Sequence, residues 1–311
     1  KYFDELWEDA IKITEKDEVK KKLISVIETK TMARKVTPFE AYALSLKTYL
    51  NPFNQENNIS PTLPDLLKDI GYTPYRYQLD AVAQALAIIK DYNGVIIADV
   101  VGLGKTVIAC AVAHELRKRG LVICPPSLRG EEDYTSGWRM YLEQFGLKEW
   151  KVRSAGDLEN TAEYVQRIND FEVVIIDEAH RFRNQDTKDY EFLKNICRNK
   201  IVILLTATPF NNRPSDILSL LKLFIAPKKS SITLENNLVS RFRSYQHVFD
   251  RLSYISRYHN SPVSSNRNRA HNYYEALFGE PDVDLTEVKE RAQYLAAEIR
   301  DVIEPVTIRR N

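Results

Sequence analysis

An α/β fold, with a mostly parallel sheet flanked by helices, is what the sequence of 311 residues predicts. Three observations carry that expectation. Nearly unbroken apolar runs recur at 95–98, 121–124, 173–176 and 201–205. Strands buried on both faces read this way, because no position along them meets water. Segments with helical apolar spacing separate the runs, as crossovers between parallel strands require. Residues able to do chemistry then follow directly after the runs, at the carboxyl ends where such sheets hold ligands.

The first run opens into Gly94-Val-Ile-Ile-Ala-Asp-Val-Val-Gly-Leu-Gly-Lys-Thr106. From Val107 onward the pattern is helical, with Ile108, Ala111, Val112 and Leu116 expected on one face. Strand, glycine turn, Gly-Lys-Thr and helix together form the context of a phosphate-binding loop. The backbone of Gly102, Leu103 and Gly104 can approach phosphate oxygens, since glycine puts no Cβ in the way. The start of the helix adds partial positive charge. Lys105 would reach the β and γ phosphates, and the Thr106 hydroxyl would ligate Mg²⁺. The strict G-x-x-x-x-G-K-[ST] pattern has glycine where this chain has Asp99.

Hydrophobic content of 44% and charged content of 28% allow a true core, in one large domain or two ordinary ones. A formal net charge of +1 shows no global basic bias, so any nucleic-acid surface must come from local segregation of charge. Cys110, Cys124 and Cys197 are widely spaced, which offers neither a disulfide framework nor a metal pair and suits a reducing compartment. No apolar run is long enough to span a membrane and no signal peptide is visible. A cytoplasmic location is expected, nucleoid-associated if the source is prokaryotic. The chain opens on Lys1 and is read as an excerpt of something longer.

In chain order, residues 1–60 are Lys/Glu-rich with apolar anchors such as Leu6, Trp7, Ile11 and Leu23, and read as a helical connecting segment. Thr37-Pro38-Phe39-Glu40 has the composition of a helix start, and the Asn/Pro-rich stretch 51–64 that of a linker. Residues 61–311 are expected to form the nucleotide-binding domain. Its opening stretch, 63–90, reads as helix, turn, helix, and Gln78 lies on the first turn of the second helix. There its amide can read an adenine edge by paired donor and acceptor. Basic residues 117–119 follow the phosphate-loop helix, where the macrodipole favours them. Pro125-Pro-Ser127 stops the next strand, a helix is expected near 138–145, and 151–153 is a further short strand.

The run 173–176 ends in Asp177-Glu-Ala-His180. Two adjacent acids after an apolar strand divide the work: Asp177 would hold Mg²⁺, and Glu178 would orient and polarise the water that attacks the γ-phosphate. His180 would bridge the nucleotide site to Thr206 or Gln78. The run 201–205 ends in Thr206-Ala-Thr-Pro209, two hydroxyls at a strand end with a proline fixing the exit.

Taken together, Gln78, residues 99–106, 124–127, 177–180 and 206–209 resemble motifs Q, I, Ia, II and III of superfamily 2 helicases. The Asp99 departure also resembles that superfamily. The finer resemblance is to the Swi/Snf-type ATPases, which are double-stranded DNA translocases. It rests on Gly-Leu-Gly-Lys-Thr106, on Asp-Glu-Ala-His-Arg-Phe-Arg-Asn184, and on Thr-Ala-Thr-Pro-Phe-Asn-Asn212 with the helix after it. Val100 stands where that family usually has a second acid. The resemblance covers roughly residues 63–311 and implies the first RecA-like P-loop lobe of an ATP- and Mg²⁺-dependent motor. It implies nucleic-acid contacts at Pro125, Ser127, Thr206 and Thr208. It also implies a second lobe, with motifs IV to VI and the arginine fingers, that these residues do not include. An arginine finger supplies about 10³–10⁵ in rate, so the excerpt is expected to bind ATP and turn it over poorly. The stretch around Phe3, Leu6-Trp7 and Thr37-Pro38 resembles the approach to the motor in bacterial helicases that carry an upstream phospholipase D-like nuclease domain.

A helical insertion is expected at about 227–300. From 227 to 270 it carries Lys228, Lys229, Arg241, Arg243, Arg251, Arg257, Arg267 and Arg269 against only Glu235 and Asp250. Phe242, Tyr245, Phe249, Tyr254 and Tyr258 are interleaved. Such a mixture can track a phosphate backbone and stack on sugars or bases, with Arg241 and Arg243 as the named contacts, or it can turn its aromatics into its own core. Residues 280–300 turn acidic and read as packing. Two other functions fit parts of the pattern. An RNA helicase would share Asp-Glu-Ala-His, although the Arg-Phe-Arg-Asn184 extension argues against it. A non-hydrolysing nucleotide-dependent switch would not need Lys105, Thr106, Asp177 and Glu178 all to be intact.

Overall fold

The computed structural model describes residues 59–98, 104–207, 213–226 and 237–309. The expectations for 1–58, for Asp99, Val100, Gly102 and Leu103, for Thr208 to Asn212, and for Lys228, Lys229 and Glu235 lie outside the described residues.

Among the described residues, six strands form one all-parallel sheet in the order β3-β2-β4-β5-β1-β6. They are β1 (Gly94–Ile97), β2 (Gly120–Cys124), β3 (Lys151–Ser154), β4 (Val173–Ile176), β5 (Ile201–Leu205) and β6 (Thr307–Ile308). Every residue of β1, β2 and β4 is buried, which is why their sequences are continuous apolar runs. β3 lies at an edge and is correspondingly polar, Lys-Val-Arg-Ser. β6 is not legible as a strand in the sequence. Two residues carry no periodicity, and only the pairing of Thr307 and Ile308 with Ile96 and Ile97 makes them one.

The helices of the lobe are α1 (Leu63–Asp69), α2 (Arg76–Tyr92), α3 (Lys105–Leu116), α4 (Gly137–Gln144), α5 (Leu158–Ile168), α6 (Lys188–Cys197) and α7 (Pro214–Leu221). α2 ends on Asn93, whose left-handed backbone closes the helix while its side-chain amide donates to the Lys200 carbonyl at 3.0 Å. One expectation needs correcting. α3 has no single apolar face, because Val107 to Ala113 are all buried. A helix that is apolar all round is a core helix. Of the basic residues after it, Arg119 is also ion-paired, with Glu149 at 3.1 Å and with Asp170.

Beyond the lobe, α8 (Leu238–Tyr258), α9 (Ser264–Phe278) and α10 (Leu285–Ile303) form the expected helical insertion before the chain returns to the sheet at β6. The Asn237 and Asp284 side chains cap α8 and α10, each accepting a backbone N–H of the first turn. α10 contributes Val288, Leu295, Ile299, Val302 and Ile303 to the core, in agreement with the packing role expected there. Among the described residues, no helix is long and apolar enough to cross a membrane.

Candidate active site

β5 separates β1 from β4, so the phosphate-loop strand and the acid-bearing strand stand two spacings apart, about 9–10 Å. The residues after all three strands therefore leave the sheet at the same end, where parallel α/β sheets hold ligands in a crevice. Their backbones are held by ladder hydrogen bonds that run past the strand ends. Thr206 donates to the Ile97 carbonyl at 3.2 Å, and Asp177 donates to the Ile123 carbonyl at 2.8 Å.

On the phosphate side, Gly104 caps α3 at φ 80°, a left-handed conformation that favours glycine. A Cβ there would stand 2.7 Å from Gln78 Nε2. The buried Gln78 amide is thus packed directly against the entry to the loop, and glycine is what admits it. Lys105 and Thr106 occupy the first turn of α3, half-buried, where N–H groups lack intrahelical acceptors.

On the acid side, Asp177 is 8% exposed, and both of its oxygens are engaged. Oδ1 accepts the backbone N–H of Glu178 at 2.9 Å, and Oδ2 accepts the indole N–H of Trp138 at 2.8 Å. A carboxylate oxygen has two lone-pair sites, so with the donors seen among the described residues each retains one for a water or a cation. Glu178 adopts left-handed backbone angles, φ 50° and ψ 47°, unusual for a residue with a Cβ and costing roughly 1–2 kcal/mol. Strain of this kind, held in place by the surrounding fold, is typical of working residues. The kink lets the chain pass from β4 into a 3₁₀ turn, Ala179–Phe182, with the Glu178 side chain facing outward.

His180 Nδ1 lies 3.1 Å from Glu178 Oε2, though not at a hydrogen-bonding angle. The structure therefore sets His180 beside Glu178. Thr206 is 1% exposed at the end of the central strand, so as placed it does not present a hydroxyl to a passing nucleic acid. Pro125 is covered as well, whereas Pro126 and Ser127 are exposed on the 3₁₀ turn Pro126–Leu128. Cys124 is inert: burial first, then the neighbouring Asp177 charge, pushes its thiol up to about 12. Trp138 is the residue the sequence did not assign. No local pattern links it to an aspartate 39 positions away.

Mg²⁺ suits hard oxygen donors and is commonly bound by one or two protein oxygens together with substrate phosphates. Asp177, with its spare lone pairs, and Thr106 fit that role. Among the described residues, no group of three His, Cys, Asp or Glu side chains could cage a metal unaided.

In the insertion, Phe242 and Tyr245 are buried, so those two aromatics serve the core and not a ligand. Arg241 donates to the Tyr245 hydroxyl at 2.8 Å, while Arg243 and Arg257 project from α8 as exposed residues. Arg251 and Arg269 lie over the Tyr273 ring at 5.4 and 5.2 Å.

The sheet, the glycine-entered core helix and the paired acids define a RecA-like nucleotide-binding lobe. The SNF2-related domain family matches residues 152–311, just over half of the chain, and an AAA domain matches residues 90–213. The chain belongs to the SNF2-related domain family. It is 33% identical over 202 residues to the "Uncharacterized ATP-dependent helicase YqhH" of Bacillus subtilis (strain 168), covering 54% of this chain and 34% of that protein. With "Chromodomain-helicase-DNA-binding protein 1-like" of Danio rerio it shares 30% over 182 residues, 49% of this chain and 17% of the other. The chain thus spans about a third or less of these relatives. The solved Sulfolobus solfataricus SWI2/SNF2 ATPase core in complex with dsDNA aligns at TM-score 0.47 and 20% identity, over 76% of this chain and 44% of its own.

Proposed function

We propose that this chain is the nucleotide-binding lobe of an ATP-hydrolysing motor that moves along DNA, with duplex DNA as the favoured track. The observation that carries the proposal is the crevice shared by three strand ends, with Gln78 and Gly104 on one side and Asp177 and Glu178 on the other. The first turn of α3 supplies N–H groups and partial positive charge to the phosphates. Lys105 draws on the charge of the β and γ phosphates, and Gln78 offers a donor and an acceptor to the base. Asp177 and Thr106 supply oxygens to Mg²⁺, which would neutralise phosphate charge and fix the geometry of the bound nucleotide. Glu178 orients the attacking water and accepts its proton, and His180 lies beside it.

Support for DNA comes from the family and from the printed name of the Danio rerio relative, a DNA-binding protein. The exposed Ser127 turn and the exposed arginines of α8 are the surfaces proposed to meet the phosphate backbone. The test is ATP hydrolysis by the whole protein, alone and with duplex DNA, single-stranded DNA or RNA, beside a Lys105→Ala control. Stimulation by duplex DNA, abolished in the control, is expected. Preferential stimulation by RNA would replace DNA as the track. Nucleotide binding without hydrolysis under any condition would overturn the motor in favour of a switch.

A further inference from the structure

Two buried tryptophans, Trp150 and Trp138, place their indole N–H groups near opposite ends of β2. Trp150 lies over Gly120 at the start of the strand, and its indole N–H donates to the Lys118 carbonyl at 2.9 Å. That is an ordinary way to satisfy a buried donor. Trp138 is at the opposite end, 2% exposed, and gives its N–H to the Asp177 carboxylate instead. A buried carboxylate needs donors to remain oriented and charged. Among the described residues, one donor comes from the next peptide along its own turn, and the other from Trp138.

The chain leading to Trp138 is closed tightly on itself. Gly130 and Gly137 have φ of 86° and 58°, and a Cβ on Gly137 would stand 2.5 Å from the Gly130 nitrogen. Arg139 donates its backbone N–H to the Arg129 carbonyl at 3.1 Å, and Glu131 donates to the Ser136 hydroxyl at 3.2 Å. The exposed turn Pro126–Leu128 is therefore fastened to the residue that holds Asp177.

We infer that Trp138 is a positioning residue: its indole N–H sets the orientation in which Asp177 presents its remaining lone pairs to Mg²⁺ bound with nucleotide. This rests on the proposed role of Asp177. Partners that orient metal ligands typically alter affinity by about 10–100-fold when removed. The experiment is the Mg²⁺ concentration for half-maximal binding of a fluorescent ATP analogue by the whole protein. It compares Trp138→Phe, Trp150→Phe, and a protein carrying benzothienylalanine at position 138, which keeps the indole shape but lacks the N–H. Both changes at 138 are expected to raise that concentration roughly tenfold or more, with binding restored by excess Mg²⁺. Trp150→Phe is expected to leave it within about twofold, since its N–H partner is a backbone carbonyl far from the acids.

If Trp138→Phe fails to fold, the isosteric replacement decides alone, because it preserves the packing. A wild-type Mg²⁺ dependence in the benzothienylalanine protein would overturn the inference and leave the nucleotide site standing. A wild-type protein whose nucleotide binding ignores Mg²⁺ would remove the role of Asp177 and the inference together.

Discussion

The strand-end crevice and the helical insertion are both rich in polar and aromatic residues, yet they were legible to very different degrees. At the strand ends, Asp177, Glu178 and Thr206 follow strands whose backbones are locked into the sheet ladder, so order in sequence translates directly into place. In the insertion, charge and aromaticity alternate along helices, and only packing decides which residues face inward. Phe242 and Tyr245 are buried, whereas Arg243, on the same helix, is exposed. A strand end fixes a position in space; a helix face needs a partner before it has a direction.

The contrast can be broken most severely at Phe242. Removing its 1%-exposed ring as Phe242→Ala should cost about 3–5 kcal/mol of stability, read as a fall in the midpoint of chemical denaturation. A fall in duplex-DNA binding with unchanged stability would instead return Phe242 to the ligand surface. At the crevice, Gly104→Ala should cost roughly 1–2 kcal/mol for the left-handed backbone alone, with Gln78 displaced as well. A nucleotide titration should show affinity reduced by about tenfold, the equivalent of roughly 1.4 kcal/mol. Wild-type affinity would show that Gln78 and the loop entry are not coupled. The smallest effect belongs to the exposed arginines. Arg243→Glu with Arg257→Glu should leave the denaturation midpoint nearly unchanged. The same pair should lower the slope of log K against log salt for duplex DNA by about one for each phosphate that α8 ceases to neutralise. An unaltered slope would remove α8 from the DNA surface.

Trp138 marks the limit of reading motifs. It belongs to no local spacing, and its signal is a hydrogen bond across 39 positions. Thr206 shows the same limit in reverse: its place after a strand was evident, but burial between two neighbours removes it from the surface. His180 was recognised through its motif, but only the left-handed turn at Glu178 shows that it lies beside that carboxylate. The two-residue β6 could not be foreseen, since it exists only through its pairing with β1.

By itself, the sequence determined the parallel sheet, the glycine entry to α3 and the place of Asp177 and Glu178 directly after a buried strand. Those are local consequences of continuous apolar runs, backbone freedom at glycine and the chemistry that follows each strand. The tertiary structure alone decided strand order, which puts β5 and Thr206 between the two halves of the site. It also decided which aromatics became core and which distant indole holds Asp177. Periodicity reports only that a residue has a buried side. What it is buried against depends on how the crossovers stack helices on the sheet, and that is settled by packing the whole lobe at once.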